Sequence, residues 1–146
     1  MRCKIRVGYA PAFSVVTKSP LAIPRESNMT RKAPTISELR KAVETGDAAS
    51  LKALYADNAV ITIIDSINTP SKPKTITGLR EIGAFLDDVY SRDMTHTIDT
   101  GIVDGTKLAF VESCKYSDGT RVIASNTAEL GPDGIVKQTV VQAWDS

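Results

Sequence analysis

The chain of 146 residues is 42% hydrophobic and carries a net charge of +1, which suits a single domain with a core of useful size. Its basic residues form no run or stripe, which argues against nucleic acid as a partner, and no apolar run approaches the ~20 residues of a membrane span. The two cysteines, Cys3 and Cys114, make no disulfide framework, and a reducing, cytoplasmic setting is expected.

Charge is spread unevenly. Residues 1–28 hold Arg2, Lys4, Arg6, Lys18 and Arg25 against Glu26 alone, whereas acids outnumber bases from Met29 onward. With three prolines and little periodicity, residues 1–33 are expected to form a basic leader separate from a domain at 34–146. A disordered segment and an acid-poor organellar transit peptide both fit that composition. Pro11 and Lys18 break the apolar stretch that a secretory signal requires.

From Thr35 the chain becomes regular. Thr35 and Glu38 form a capping-box pair at the start of "TISELRKAVETGD", with Ile36, Leu39 and Val43 at helical spacing and Gly46 as the stop. Asp47 is expected to cap a second helix, "AASLKALYA", whose inner side carries Leu51, Leu54 and Tyr55. "NAVITIID" reads as a β-branched strand, and "SINTPSKPKT" as a loop. Thr77 is the expected cap of a third helix, "GLREIGAFLDDVYSR", with Leu79, Ile82, Phe85, Leu86 and Val89 as its apolar stripe. Four strands follow, "THTIDTGIV", "KLAFVESCKY", "TRVIASNTAEL" and "IVKQTVVQAW", joined by "DGT", "SDG" and "GPDG" turns. Helices first and an antiparallel meander afterwards predict an α+β fold with helices on one face of a curved sheet.

Two of these strands carry a polar residue inside an otherwise apolar face. Alternate residues give Leu108, Phe110, Glu112, Cys114 and Tyr116 on one, and Val122, Ala124, Asn126, Ala128 and Leu130 on the other. Burying a lone carboxylate or amide costs several kcal/mol, so both point to a cavity. If "SDG" is a bulged three-residue turn, Glu112 lies opposite Ala124 and Phe110 opposite Asn126, and the two apolar faces coincide. His96, the only histidine, shares strand parity with Ile98 and Ile102 and so enters the same cavity. A histidine beside Glu112 is a natural acid–base pair; the competing reading leaves His96 half exposed at a strand end. Asn126 is a candidate donor to a ligand carbonyl, or else a tie between strands.

Around these three candidate catalytic residues, Phe110, Cys114, Tyr116 and Ile63 are expected to line the ligand site. Asp65 is placed at its rim, where a loop-cap role competes. Gln142 and Trp144 share a face of the last strand with Gln138; whether that face looks inward depends on a bulge near "GPDG". No cysteine pair, histidine cluster or glycine-rich phosphate loop is present, so neither a metal nor a cofactor is expected.

"ETGDAASLKALYADNAVITIID" followed by "TITGLREIGAFLDDV" resembles the SnoaL-like branch of the nuclear transport factor 2-like superfamily over Thr35 to Trp144. Gly46-Asp47, "LYADNAV", Gly78 and the "DG" before the last strand carry the resemblance. It implies a cystatin-like cone: a bent antiparallel sheet around a pocket closed by three N-terminal helices. The superfamily also holds ketosteroid isomerases, whose catalytic positions match Leu39, Ile63 and Asn126 here, so that chemistry is not carried over. Scytalone dehydratases use two histidines, and the Asp-Arg-Asp set of the epoxide hydrolases fails because Arg121 lies on the face opposite Asn126. The acid/base of polyketide cyclases again matches Asn126, which takes no proton. What remains is a cofactor-free isomerase, cyclase or lyase for a hydrophobic carbonyl compound, or a non-catalytic ligand-binding or dimerisation module. The resemblance also implies a homodimer, through the outer sheet face bearing Val111, Ser113, Ile123 and Ser125.

Overall fold

The computed structural model describes residues 33–146, and most of the expected leader lies outside them. Helix α1 (Ile36–Glu44) begins with the full capping box: the Glu38 backbone N–H donates to Thr35 Oγ1 at 3.1 Å, and the Thr35 N–H donates to Glu38 Oε2 at 2.8 Å. Helix α2 (Ala48–Lys52), capped by Asp47, is a single turn and a half. The helical spacing of Leu51, Leu54 and Tyr55 overshoots there, because Tyr55 is already the first residue of strand β1 (Tyr55–Ile64).

The expected loop before the third helix hides a short edge strand, β2 (Lys74–Thr77), antiparallel to β1. Thr77 therefore pairs with Val60 instead of capping. The residue before helix α3 (Leu79–Ser91) is Gly78 at φ +86°, with no side-chain cap. Strands β3 (Met94–Asp104), β4 (Lys107–Tyr116), β5 (Arg121–Gly131) and β6 (Gly134–Trp144) form the meander.

The six strands lie in the order β2-β1-β6-β5-β4-β3. All neighbours are antiparallel except β1 and β6, which run parallel with Ile61 opposite Gln138 and Ile63 opposite Val140. With β2 and β3 at its two edges the sheet stays open. In the β4–β5 hairpin Glu112 pairs with Ala124 and Phe110 with Asn126, the register of the bulged turn.

Helices α1 and α3 lie across the concave face. Leu39, Val43, Ile82, Ile61 and Leu108 are buried between them and the sheet. At Gly101 an added Cβ would sit 2.8 Å from Ile36 Cδ1, so α1 rests directly on the β3 backbone. A bulge between Ile98 and Thr100 bends β3 at that point. The Ile98 N–H donates to Glu44 Oε1 at 3.2 Å and its carbonyl accepts from Arg40 at 3.4 Å, which fastens the bulge to α1. The bulge also resets side-chain parity: His96 and Ile98 face inward, but Ile102 is 62% exposed, contrary to the simple alternation.

Candidate active site

The cone encloses a cavity of about 220 Å³, just under the ~300–1,000 Å³ of drug-sized ligand pockets, so it suits a compact molecule. Much of its lining is apolar, including Leu39 and Val43 of α1, Leu51 of α2 and Ile61 and Ile63 of β1. Phe85 and Leu86 of α3 form one side. Phe110, Cys114 and Tyr116 of β4 form another, and Gln138, Gln142 and Trp144 of β6 a third, so the β6 face does look inward. Lys74, Arg92 and Asp65 line the wall as well.

A polar cluster gathers around Glu112 of this wall. Strand pairing sets His96 beside Cys114 and Ile98 beside Glu112. His96 Nδ1 lies 2.7 Å from Glu112 Oε1, Cys114 Sγ lies 3.5 Å from the same oxygen, and the Tyr90 hydroxyl donates to it at 3.4 Å. Three donor groups thus converge on Oε1. No hydrogen bond or ion pair reaches Oε2 from the described residues, and Oε2 is not a buried unpaired atom, so this second oxygen keeps exposed surface on a side chain that lines the cavity.

His96 itself is not on the wall. It is 9% exposed, sits behind Glu112, and has its ring 4.5 Å from that of Tyr90. Its Nε2 is buried with no partner among the described residues. The proton therefore belongs on Nδ1, where it is donated to the carboxylate, since an Nε2–H would be a buried donor without an acceptor.

Neighbouring groups are tuned by the same carboxylate. Burial first, and then the negative charge of Glu112, pushes the Tyr90 hydroxyl far above its ordinary range, so it remains a neutral donor. Tyr55 is raised for the same two reasons. Cys114 is pushed up to about 12 by burial and then by Glu112, which makes it an unreactive thiol.

Nδ1, Oε1 and Sγ lie close enough together to hold a cation. The histidine argues against it. Ligation at Nδ1 forces the proton onto Nε2, and a ligating histidine normally donates that N–H to a partner, which the described residues do not provide here.

Asn126 is 4% exposed, and its amide is engaged on both sides. Its Nδ2 donates to the Ala124 carbonyl at 3.2 Å, and its Oδ1 accepts from Gln138 Nε2 at 2.9 Å. Gln138 Oε1 in turn accepts from the Tyr55 hydroxyl at 2.6 Å. This chain ties β5, β6 and β1 together, and all three residues line the cavity. Asp65 accepts from the Ile67 and Asn68 backbone N–H groups at 2.8 and 2.7 Å, the geometry of a loop cap. Tyr116 stacks on Trp144 at 5.9 Å and accepts from Arg92 at 3.2 Å.

The sequence does not single out Tyr90, and it offers Tyr55 only as an inner-side residue of the second helix. The i, i+4 steps from Ile82 to Leu86 to Tyr90 carried the signal for the first; the misplaced end of α2 hid the second.

Residues 36–135, more than half the chain, match the SnoaL-like domain family, and the protein belongs to that family. Solved structures agree in fold. A nuclear transport factor 2-like protein of unknown function from Mesorhizobium loti superposes with a TM-score of 0.63 at 16% identity, over 73% of this chain and 86% of that one. A cystatin-like protein from Silicibacter pomeroyi gives 0.60 at 22% identity, over 80% and 76%. A Kribbella flavida protein provisionally assigned as a ketosteroid isomerase gives 0.60 at 17% identity, over 75% and 74%. No curated protein matches the chain. Among the described residues no helix is long and apolar enough to cross a membrane.

Proposed function

We propose that this protein is a cofactor-independent enzyme of the isomerase, cyclase or lyase type, acting on a compact hydrophobic carbonyl compound, with Glu112 as its general base. The supporting observation is the division of labour within one carboxylate. Oε1 is held by His96, Tyr90 and Cys114, whereas Oε2 carries no bond from the described residues. A base needs an oriented lone pair within reach of a substrate proton, and anchoring one oxygen aims the other. His96 is then a positioning residue: it donates from Nδ1, fixes the carboxylate plane and keeps the anion paired.

A non-catalytic ligand carrier of the same fold is the alternative, and the Asn126–Gln138–Tyr55 chain is what favours it. That chain is internally bonded and built for rigidity.

Proton exchange separates the two readings. 2-Indanone, a compact ketone with acidic α-hydrogens, is incubated with the protein in D2O and its deuteration followed by NMR. The enzyme accelerates exchange over buffer. Glu112→Gln keeps an oxygen for the three donors but no proton acceptor, so exchange falls by about 10²–10⁴-fold with the melting temperature unchanged. Equal exchange by both proteins rules out Glu112 as the base.

A further inference from the structure

The inner face places Glu112, Ala124 and Gln142 in one row across β4, β5 and β6. All three line the cavity. The middle residue is a single methyl group, so the two longer side chains stand on either side of a low point in the wall.

Gln142 is also oriented. The Trp144 indole, which can only donate, points Nε1–H at Gln142 Oε1 over 3.4 Å. That contact assigns the oxygen end of the amide to the Trp144 side. It leaves the Gln142 amino group with two N–H donors and no bond to any described residue. By contrast, the Asn126 amide is already engaged with Ala124 and Gln138.

We infer that Gln142 is the residue that recognises the ligand's carbonyl, with Ala124 as the seat beneath it and Glu112 facing the adjacent C–H. The inference rests on the general-base reading for the role of Glu112, but its binding component stands alone.

The spacing fits. Neighbouring strands are ~4.8 Å apart, so the β4 and β6 backbones in this row lie about 9.6 Å apart, and the concave bend brings the side-chain tips closer. A carbon in attack range is ~3–3.5 Å from the base, a carbonyl oxygen lies about 2.4 Å from its α-carbon, and a hydrogen bond adds ~2.9 Å. Laid end to end these total roughly 8.5 Å. An α-C–H ketone therefore bridges the row over Ala124.

The reaction this implies is balanced. The α-C–H bond breaks, the proton goes to Glu112 Oε2, the electron pair moves into the enolate, and the oxygen charge is stabilised by the Gln142 N–H. Reprotonation at carbon regenerates the carboxylate.

The test compares 2-indanone with indane, the same ring system without the carbonyl, by NMR titration of the isotopically labelled protein. The native chain binds 2-indanone roughly tenfold more tightly, the worth of one neutral hydrogen bond. Gln142→Met, close in shape but without the amide, binds indane as before and loses the preference. Ala124→Leu fills the seat and weakens both ligands at least tenfold, its melting curve showing that it still folds.

A preference that persists in Gln142→Met overturns the inference, as does failure of the native chain to bind 2-indanone. If Gln142→Met erases the preference while Glu112→Gln leaves exchange intact, carbonyl recognition stands and the base assignment falls.

Discussion

Replacing Glu112 by leucine tests whether the carboxylate and His96 form one unit. Glu112 has only 13% of its side chain exposed and His96 only 5%. Leucine removes the acceptor from a buried Nδ1–H on a ring whose Nε2 already lacks a hydrogen-bond partner, and an orphaned buried donor costs ~1–3 kcal/mol. Tyr90 and Cys114 lose little more, because their contacts are long, at 3.4 and 3.5 Å. The net expectation is a loss of about 1–3 kcal/mol, or roughly 5–15 °C in melting temperature for a domain near a hundred residues.

His96→Leu alone strips the carboxylate of its shortest partner and costs a similar ~1–3 kcal/mol. The double variant removes both polar groups together, leaves neither orphaned, and should regain most of the combined loss. Urea unfolding of the four proteins gives the coupling. Losses that simply add, within ~0.5 kcal/mol, would refute the pair as a unit and with it the positioning role of His96.

Cys114 should alkylate very slowly. In a Cys3→Ser background at pH 8, an ionisation near 12 leaves thiolate about 10³-fold scarcer than in an ordinary cysteine, so iodoacetamide labelling should lag a free thiol by that order; ordinary reactivity contradicts its burial beside Glu112. The same thiol sets a pH dependence. Its folded-state value is raised, so its contribution to stability is complete below the unfolded value near 9 and declines as pH rises toward 12. Gly134→Ala should destabilise strongly. At φ +120° the new Cβ would lie 2.4 Å from the Leu54 carbonyl oxygen, and thermal melting should fall by the equivalent of at least ~1–3 kcal/mol. On the outer sheet face, 53% exposed Ile123 and 48% exposed Val141 form the apolar part of a proposed self-association surface; sedimentation should show a dimer at micromolar concentration that Ile123→Asp converts to monomer.

Much of this arrangement was legible because strand chemistry leaves a period-two record. The alternation through Leu108–Tyr116 and Val122–Leu130, together with the "SDG" turn, fixed the β4–β5 register and brought Glu112 to the cavity. Parity gave His96 an inward face, with a pairing to Glu112 as one of two open readings. The same rule failed at Ile102, because nothing in "THTIDTGIV" marks the bulge that α1 pins through Glu44 and Arg40. Strand β2 escaped notice since four residues after Pro73 make too short a run to show a period. The parallel β1–β6 contact is a long-range pairing that no local pattern encodes. Most important for chemistry, the sequence supplies a glutamate but not the inequality of its two oxygens, which arises when β3 sets His96, and α3 sets Tyr90, against Oε1.

The position of β6 also has a consequence for assembly. This strand follows every other element in the chain, yet it lies in the sheet's interior, between β1 and β5. The β3–β4–β5 meander can zip locally, and α1–α3 can collapse onto β1, but the two halves share no strand edge until β6 slots between them. Until then Ile61 and Ile63 on one side and Ala124 and Asn126 on the other border an unfilled gap. Because the insertion joins segments far apart in the chain, loop-closure entropy must be overcome before its contacts form. The cavity, whose wall includes Gln138, Gln142 and Trp144, is thus completed in the same step that makes the sheet continuous, and a partly folded form lacking β6 lacks that wall.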